Sequence, residues 1–461
     1  MKVYLSTFKD SKNSLQKCRE FFVFRTVIFL PHFSNYHNFF PYLQIVSYIR
    51  SVKKQNIVFI LSLFISSLSF AGGFQVNLQG QKQTGMGHTG TGLCLDNASL
   101  LFNPGAVSFL DSLRGISIGG SFIFPRTTYL NSELGYIAHP EKHTGTPITI
   151  YAVYKFHKKD KWNVGLAIYN PFGSKVQWQD DWLGQFLIRE IDLKTFFIQP
   201  TASVKLTDKI GIGAGFIYAT GDFSLRKGIP IQDSTGKYGE GNLQGKASGY
   251  GFNAGVYFKL SNKFTLGIDY RSQVNVKVNG GSADFEVPAS VSNFFPSTSF
   301  STQLHLPSTI SLGIGYAATT KLKLAVDVNY VGWKSYDSLV IDFADNTDKL
   351  EDIHSARMYE NVFIFRVGAQ YQVTGKWVLR LGAYYDQTPV KDGYLTPETP
   401  DANKLGITVG ASYRLTKRFH LDASMLYIEG MKRTDTNLET QFGGTYKTKA
   451  VVPGISIEYV F

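Results

Sequence analysis

The residues Gly85-Met86-Gly87-His88-Thr89-Gly90 fit the spacing G-x-G-x-x-G. In a dinucleotide site that spacing lets backbone N–H groups at a helix N-terminus approach a pyrophosphate. The chemistry requires a strand before the glycines and a βαβ unit around them, and the flanking residues provide neither. Asp180-Asp181 could serve as an acid/base pair, but it falls in a stretch that reads as a solvated loop. No Ser/His/Asp order and no H-x-x-x-H spacing stands out. Cys94 is the only cysteine after residue 71, which leaves no intramolecular disulfide or cysteine-based zinc site. No catalytic residue, metal site or cofactor is therefore expected. The remaining charged candidates, Arg271, Asp327, Arg366, Arg380 and Asp386, lie on the polar faces of strand-like segments. They read as interior ion pairs, or, for Arg366 and Arg380, as receivers of a substrate carboxylate.

The elements that position these groups are legible in outline. A short apolar run, Ile57 to Phe70, follows Lys53-Lys54 and ends at Ser69-Phe70-Ala71. That order reads as a secretory signal peptide over 52–71, with cleavage after Ala71. Residues 1–51 read as a leader extension. Either translation starts near Val52 or Ile49 at a non-AUG codon, or the leader is long. The formal charge of +12 owes much to this region. The first 71 residues hold nine of the 47 Lys/Arg and two of the 35 Asp/Glu, so the rest carries 38 and 33, a net of +5. No basic run marks a nucleic-acid partner.

Beyond residue 71 no apolar stretch reaches the length of a membrane helix. The dominant pattern is a period of two. Leu322, Leu324, Val326, Val328 and Tyr330 share one face, with Lys323, Ala325, Asp327 and Asn329 on the other. Between Leu405 and Leu415 the odd positions are Leu, Ile, Val, Ala, Tyr and Leu, and the even ones Gly, Thr, Gly, Ser and Arg. One face is oily and ends in aromatics, and the other is small or polar. This suits lipid outside and a packed or wet lumen better than a secreted sandwich. Fourteen such segments fall between residues 115 and 461. Tight turns such as Leu206-Thr207-Asp208-Lys209 alternate with long connections such as Arg226 to Gly245 and Val390 to Asn403. The chain ends on Phe461, in phase with Tyr459, Ile457 and Ile455, as in the terminal strands that barrel-assembly machinery recognises. The expected fold is all-β: a fourteen-stranded antiparallel transmembrane β-barrel over 114–461, in the outer membrane of a Gram-negative bacterium.

Two stretches break the pattern. Residues 72–113 are rich in Gly, Ser, Thr and Asn yet hold Leu100, Leu101, Phe102, Val107, Phe109 and Leu110. They are expected to form an N-terminal plug, since fourteen strands leave a bore to fill. In the third strand, Asn170-Pro171-Phe172-Gly173 interrupts the alternation. A proline that cannot donate and a permissive glycine break the ladder near mid-strand. Pro200 in the fourth strand either completes that gap or marks a bulge.

These residues carry a resemblance. Gly73-Phe74-Gln75 with Asn77, Asp96-Asn97-Ala98-Ser99, and Phe102-Asn103-Pro104-Gly105 are similar to the hatch of the long-chain fatty-acid transporter family and its aromatic-hydrocarbon relatives. Asn170 to Gly173, Leu306-Pro307, Trp333 and Leu379-Arg380-Leu381-Gly382 extend it over nearly all of the chain after residue 71. Gly105 stands where that family has Ala, a change that would loosen the local backbone. The resemblance implies passive uptake of hydrophobic compounds such as long-chain fatty acids, with no enzymatic step. It implies a gating hatch at Phe102, Asn103, Pro104 and Gly105, held near the third strand. It also implies a lateral opening at Asn170, Pro171, Phe172 and Gly173. The partners would be hydrophobic small molecules, outer-membrane lipid and the assembly machinery, with the protein a monomer. The alternative on the same scaffold is a secretion shuttle or anchor.

Overall fold

The computed structural model describes residues 73–110, 114–157 and 161–461. The leader extension and signal peptide lie outside them. Among the described residues fourteen antiparallel strands form one closed barrel. They are β1 (Arg114–Ser121 and Phe124–Asn131), β2 (Tyr136–Ala138 and Ile148–Tyr154), β3 (Trp162–Tyr169 and Gly173–Gln177), β4 (Glu190–Lys205) and β5 (Ile210–Gln232). Then come β6 (Tyr238–Lys259), β7 (Phe264–Arg271 and Val274–Glu286), β8 (Thr298–Leu306 and Thr309–Ala317), β9 (Leu322–Val331 and Ser338–Phe343) and β10 (Ile353–Ala356 and Val362–Gln372). The last four are β11 (Trp377–Asp386), β12 (Lys404–Arg414), β13 (Phe419–Gly430 and Arg433–Thr436) and β14 (Gly443–Val460). β1 closes on β14, with Gly115 opposite Val460 and Ser121 opposite Gly454. Closure leaves no free edge, which is what a sheet in hydrocarbon requires.

The alternation read from the sequence is the in/out pattern of the wall. Leu405, Ile407 and Val409 are exposed, while Gly406 and Thr408 between them are buried. Aromatic pairs lie at the short-turn end: Phe264 stacks on Tyr316, while Trp377 with Tyr413 and Phe419 with Tyr459 pack at a tilt, each pair with ring centroids 4.6 Å apart. One connection is corrected. Arg226 to Gly245 is not a long loop, because β5 and β6 continue pairing through Arg226↔Asn242 to Gln232↔Tyr238. Above the membrane no lipid demands an oily face, so the strands persist after the alternation has ended. Pro200 neither completes a gap nor makes a bulge. It lies opposite Leu166, and the β4–β5 register is the same on both sides of it, Ile198↔Tyr218 and Thr201↔Gly215.

Residues 73–110 fill the bore. They contain three single helical turns, α1 (Gln81–Thr84), α2 (Ser99–Phe102) and α3 (Pro104–Val107), and almost every residue is buried.

Candidate functional site

The hatch rests on glycines. A Cβ on Gly267 would lie 1.8 Å from the Thr91 carbonyl oxygen, and one on Gly382 would lie 2.1 Å from Gly87 N. Gly368, Gly313 and Gly213 meet Met86 O, Gly92 N and the Pro104 carbonyl group at 2.2, 2.4 and 2.6 Å in the same sense. The small faces of the strands are thus a bed on which hatch backbone lies directly against wall backbone. Gly105 obeys the same rule from the other side. Its Cβ would come within 2.8 Å of the carbonyl oxygens of both Gly211 and Gly255. Its place is dictated by close approach, so the expectation of a loosened backbone gives way to a steric one.

Polar wall residues tie this backbone down. Asp327 Oδ2 accepts from Gly90 N at 2.7 Å and Thr91 N at 2.9 Å. Arg271 Nη2 donates to Leu101 O at 2.9 Å. Arg366 donates to His88 O at 3.1 Å, to His88 Nδ1 at 2.6 Å and to Asn77 Oδ1 at 3.1 Å. These groups were expected to pair with one another. They bind hatch peptides instead, because a buried N–H or C=O without a partner is costly. Arginine has only donors, so His88 Nδ1 must accept and the ring is neutral. Burial, then the Arg366 and Arg271 charges, hold its basicity well below the usual histidine value.

At the short-turn side of the bore, Lys82 Nζ lies 2.5 Å from Glu458, 3.6 Å from Asp96 and 3.8 Å from Asp422. Burial alone would lower its basicity, but the three carboxylates outweigh it and raise it. Arg380 sits close by, donating to Gln370 Oε1 at 2.8 Å and Ser412 Oγ at 2.5 Å.

Asn103 is extended and caps α3, accepting from Gly105 N at 2.9 Å, with Pro104 at the first helical position. Its amide nitrogen donates to Thr91 O at 3.1 Å and Val256 O at 3.0 Å, and Pro104 O accepts from Ser203 at 2.6 Å. Asn103 and Pro104 therefore grip β4 and β6, not β3. The hatch meets the lower half of β3 through Val107, whose carbonyl accepts from Asn163 at 2.9 Å, and through Leu100 beside Gly165. Phe102 packs edge-on against His88, with centroids 4.8 Å apart.

The break in β3 is a local event with a defined register. Tyr169 faces Phe197 and Gly173 faces Lys194 on β4. Three residues, Asn170 to Phe172, therefore oppose two, Thr195 and Phe196, so one extra residue bulges inward. On the other side the β2–β3 ladder stops at Thr149↔Tyr169. Above it only single bonds cross, Ile148 N to Asn170 Oδ1 at 3.0 Å and Glu141 N to Gln177 O at 2.7 Å. Among the described residues no strand pairing joins Pro171 to the Glu141–Pro147 segment.

The hatch supplies the partners that the break leaves missing. Val76 N donates to Pro171 O at 2.8 Å, Gly173 N to Phe74 O at 3.3 Å, and Gln79 Nε2 to Asn170 O at 2.8 Å. Phe172 turns into the bore and packs on Phe74, Phe197 and Trp333, with centroids near 6 Å. Below this aromatic cluster a cavity is lined by Val76, Pro171, Phe172, Phe102, Asp269, Arg271, His88 and Arg366. Arg366 thus faces the cavity beside the break, whereas Arg380 lies in the Lys82 cluster away from it. Asp269, Arg271 and His88 were not singled out as a group. They come together only because β7 and the hatch meet, which no local spacing records.

The comparisons agree with this geometry. The family described as "Outer membrane protein transport protein (OMPP1/FadL/TodX)" matches residues 62–461. The 47 kDa outer membrane protein of Pasteurella multocida (strain Pm70) is 24% identical over 419 residues, covering 86% of this chain and 96% of that protein. The long-chain fatty acid transport protein of Escherichia coli O6:H1 is 22% identical over 439 residues, with the same coverage. The crystal structure of a Pseudomonas aeruginosa FadL homologue superposes with a TM-score of 0.75 at 20% identity, over 85% of this chain and all of that one. A plugged fourteen-stranded barrel with these likenesses is a protein of the Gram-negative outer membrane, and the chain belongs to the OMPP1/FadL/TodX family of outer-membrane transport proteins.

Proposed function

We propose that this protein passes hydrophobic compounds, long-chain fatty acids foremost, across the outer leaflet and releases them sideways through the opening beside Pro171. The observation that carries this reading is the hatch-covered break: the interrupted strand, hatch residues Phe74 to Gln79 and the cavity adjoin one another. A relative bearing the name of a long-chain fatty acid transport protein supports the substrate class. Arg366 and Arg271 at the cavity would receive the carboxylate, while Phe172, Phe102 and Val76 contact the chain. Lateral release has a physical rationale. Moving a methylene from apolar surroundings to water costs ~0.8 kcal/mol, so a fatty acid with about sixteen methylenes would lose roughly 13 kcal/mol on full exposure. Exit into the bilayer avoids this, and the path needs no energy source. A secretion shuttle would have no use for a sealed gap leading into the wall.

The register fixes the test. Removing two residues at the break would leave one opposite two, so the single deletion of Pro171 is the one that restores the ladder and its in/out phase. The deletion variant is expected to assemble and show heat-modifiable mobility, to bind a fluorescent fatty acid in detergent, and to lose uptake of oleate in cells. Normal uptake by a folded, gap-closed barrel would refute lateral release. Loss of Arg366→Gln activity toward oleate but not toward a neutral hydrocarbon would support the carboxylate assignment.

A further inference from the structure

The outward column of β14 runs Phe461, Tyr459, Ile457, Ile455, Pro453, Val451 and then changes to Lys449 and Lys447. At ~3.3 Å per residue and a strand tilt of ~40°, Phe461 to Val451 spans about 25 Å, the height of the apolar band. Lys449 therefore stands one step above the hydrocarbon. Its neighbours repeat the change. Phe124, Val451 and Tyr427 form one row across β1, β14 and β13, and Arg126, Lys449 and Glu429 form the next row outward. Arg126 and Lys449 are directly opposed like charges, and Lys447, opposite Thr128, adds a third cation on the same face. Both lysines share one carboxylate, Glu429 Oε1, at 2.9 and 3.3 Å. Among the described residues Arg126 makes no ion pair. His139, exposed beside Thr128 at 3.3 Å, extends the patch onto β2.

Like charges placed directly opposite on a sheet are destabilising unless an anion stands between them. Three cations against one carboxylate leave two positive charges uncompensated, at the depth where the outer leaflet places its phosphorylated sugars. We propose that Arg126, Lys447 and Lys449 form a binding site for the phosphate groups of an anionic glycolipid of the outer leaflet, with Phe124, Val451 and Tyr427 receiving its acyl chains. The site is on the lipid face and does not depend on what the bore transports. Clustered basic side chains at a membrane surface are a known means of holding anionic lipid. The row adds a fixed two-strand spacing and an apolar floor.

The test uses the purified, delipidated barrel in detergent. Bisphosphorylated lipid A, its phosphate-free form and inorganic pyrophosphate are titrated separately. Retention is read by native mass spectrometry and stabilisation by the midpoint of thermal unfolding. Wild type is expected to retain bisphosphorylated lipid A and to unfold at a higher temperature with it. The double variant Arg126→Gln/Lys449→Gln is expected to bind it roughly tenfold or more weakly. Both proteins should treat the phosphate-free lipid alike. Heat-modifiable mobility confirms that the variant is folded, and Lys321→Gln/Lys376→Gln at the opposite rim serves as the charge-matched control. Equal retention by variant and wild type overturns the site, as does equal loss in the control. Full competition by pyrophosphate overturns the lipid assignment in favour of a free-anion site.

Discussion

Phe74 of the hatch and Phe172 of the broken strand meet edge to face, with ring centroids 6.1 Å apart, directly above the bond from Val76 N to Pro171 O. The strand break and residues 74–76 of the hatch are thus bonded and packed together. A ligand that separates these two rings also removes the backbone partners of the break. On the proposed lateral route, passage would require only the residues between Gly73 and Gln79 to move, while the glycine bed holds the rest.

Asn103→Ala should weaken the middle of the hatch without harming the barrel. The side chain makes two bonds to carbonyls and one capping bond. At ~1 kcal/mol each, the local loss is roughly 2–3 kcal/mol. Hydrogen exchange over residues 103–107 should speed up by about two orders of magnitude, with wall amides unchanged and uptake altered. Unchanged exchange would mean that the bed alone fixes α3.

Gly267→Ala should unseat the hatch more severely, since its Cβ would lie 1.8 Å from the Thr91 carbonyl oxygen. Overpacking of this kind costs ~1–3 kcal/mol, borne by the hatch because β7 is held by ladders on both sides. Planar-bilayer conductance should rise. Gly375→Ala, at a turn where nothing lies within 4 Å of the added atom, should leave it unchanged. A silent Gly267 variant would show that the hatch can slide on its bed.

Acid should loosen the hatch through His88. Its folded value lies below the usual 6.5, chiefly from burial and then from Arg366 and Arg271. Undocked, the ring binds a proton more readily than docked, so docking is fully stabilised above about 6.5 and loses stability as pH falls below it. Protease cleavage within 73–110 should therefore increase between pH 8 and pH 5. His88 has φ +58, a conformation that Asn tolerates. His88→Asn should fold and show a flat profile. A variant as pH-sensitive as wild type would move the effect to another group.

The wall was legible because lipid imposes a period of two, and it was legible only where lipid does so. Leu405 to Leu415 announced β12 plainly, whereas Arg226 to Gln232 go on pairing in water, with a register shift after Ile229, and carried no signal. The break at Asn170 to Gly173 could be placed from Pro171, but its single-residue excess depends on the β4 register. The small-residue face pointed to a packed or wet lumen, and the missing alternation of residues 72–113 to a plug. That it accommodates peptide backbone, with Asp327 and Arg366 bonded to it, depends on contacts hundreds of residues apart. Asn103 and Pro104 were identifiable as a motif, but the strands they grip are set by how the hatch lies across the bore.

The bond between Lys82 and Glu458 joins positions 376 residues apart, and the Gly115–Val460 pair at the seam is nearly as distant in sequence. A residue near the start of the described chain waits for one near its end. Contacts of such separation are slow to form, because the entropy of closing the loop precedes any gain. Until β14 arrives the seam cannot exist, and Lys82 lacks Glu458, its nearest carboxylate, leaving Asp96 and Asp422. Completing the Lys82 cluster and sealing the cylinder thus belong to one terminal step, and a chain lacking the residues from 443 onward would present an open sheet without a seam.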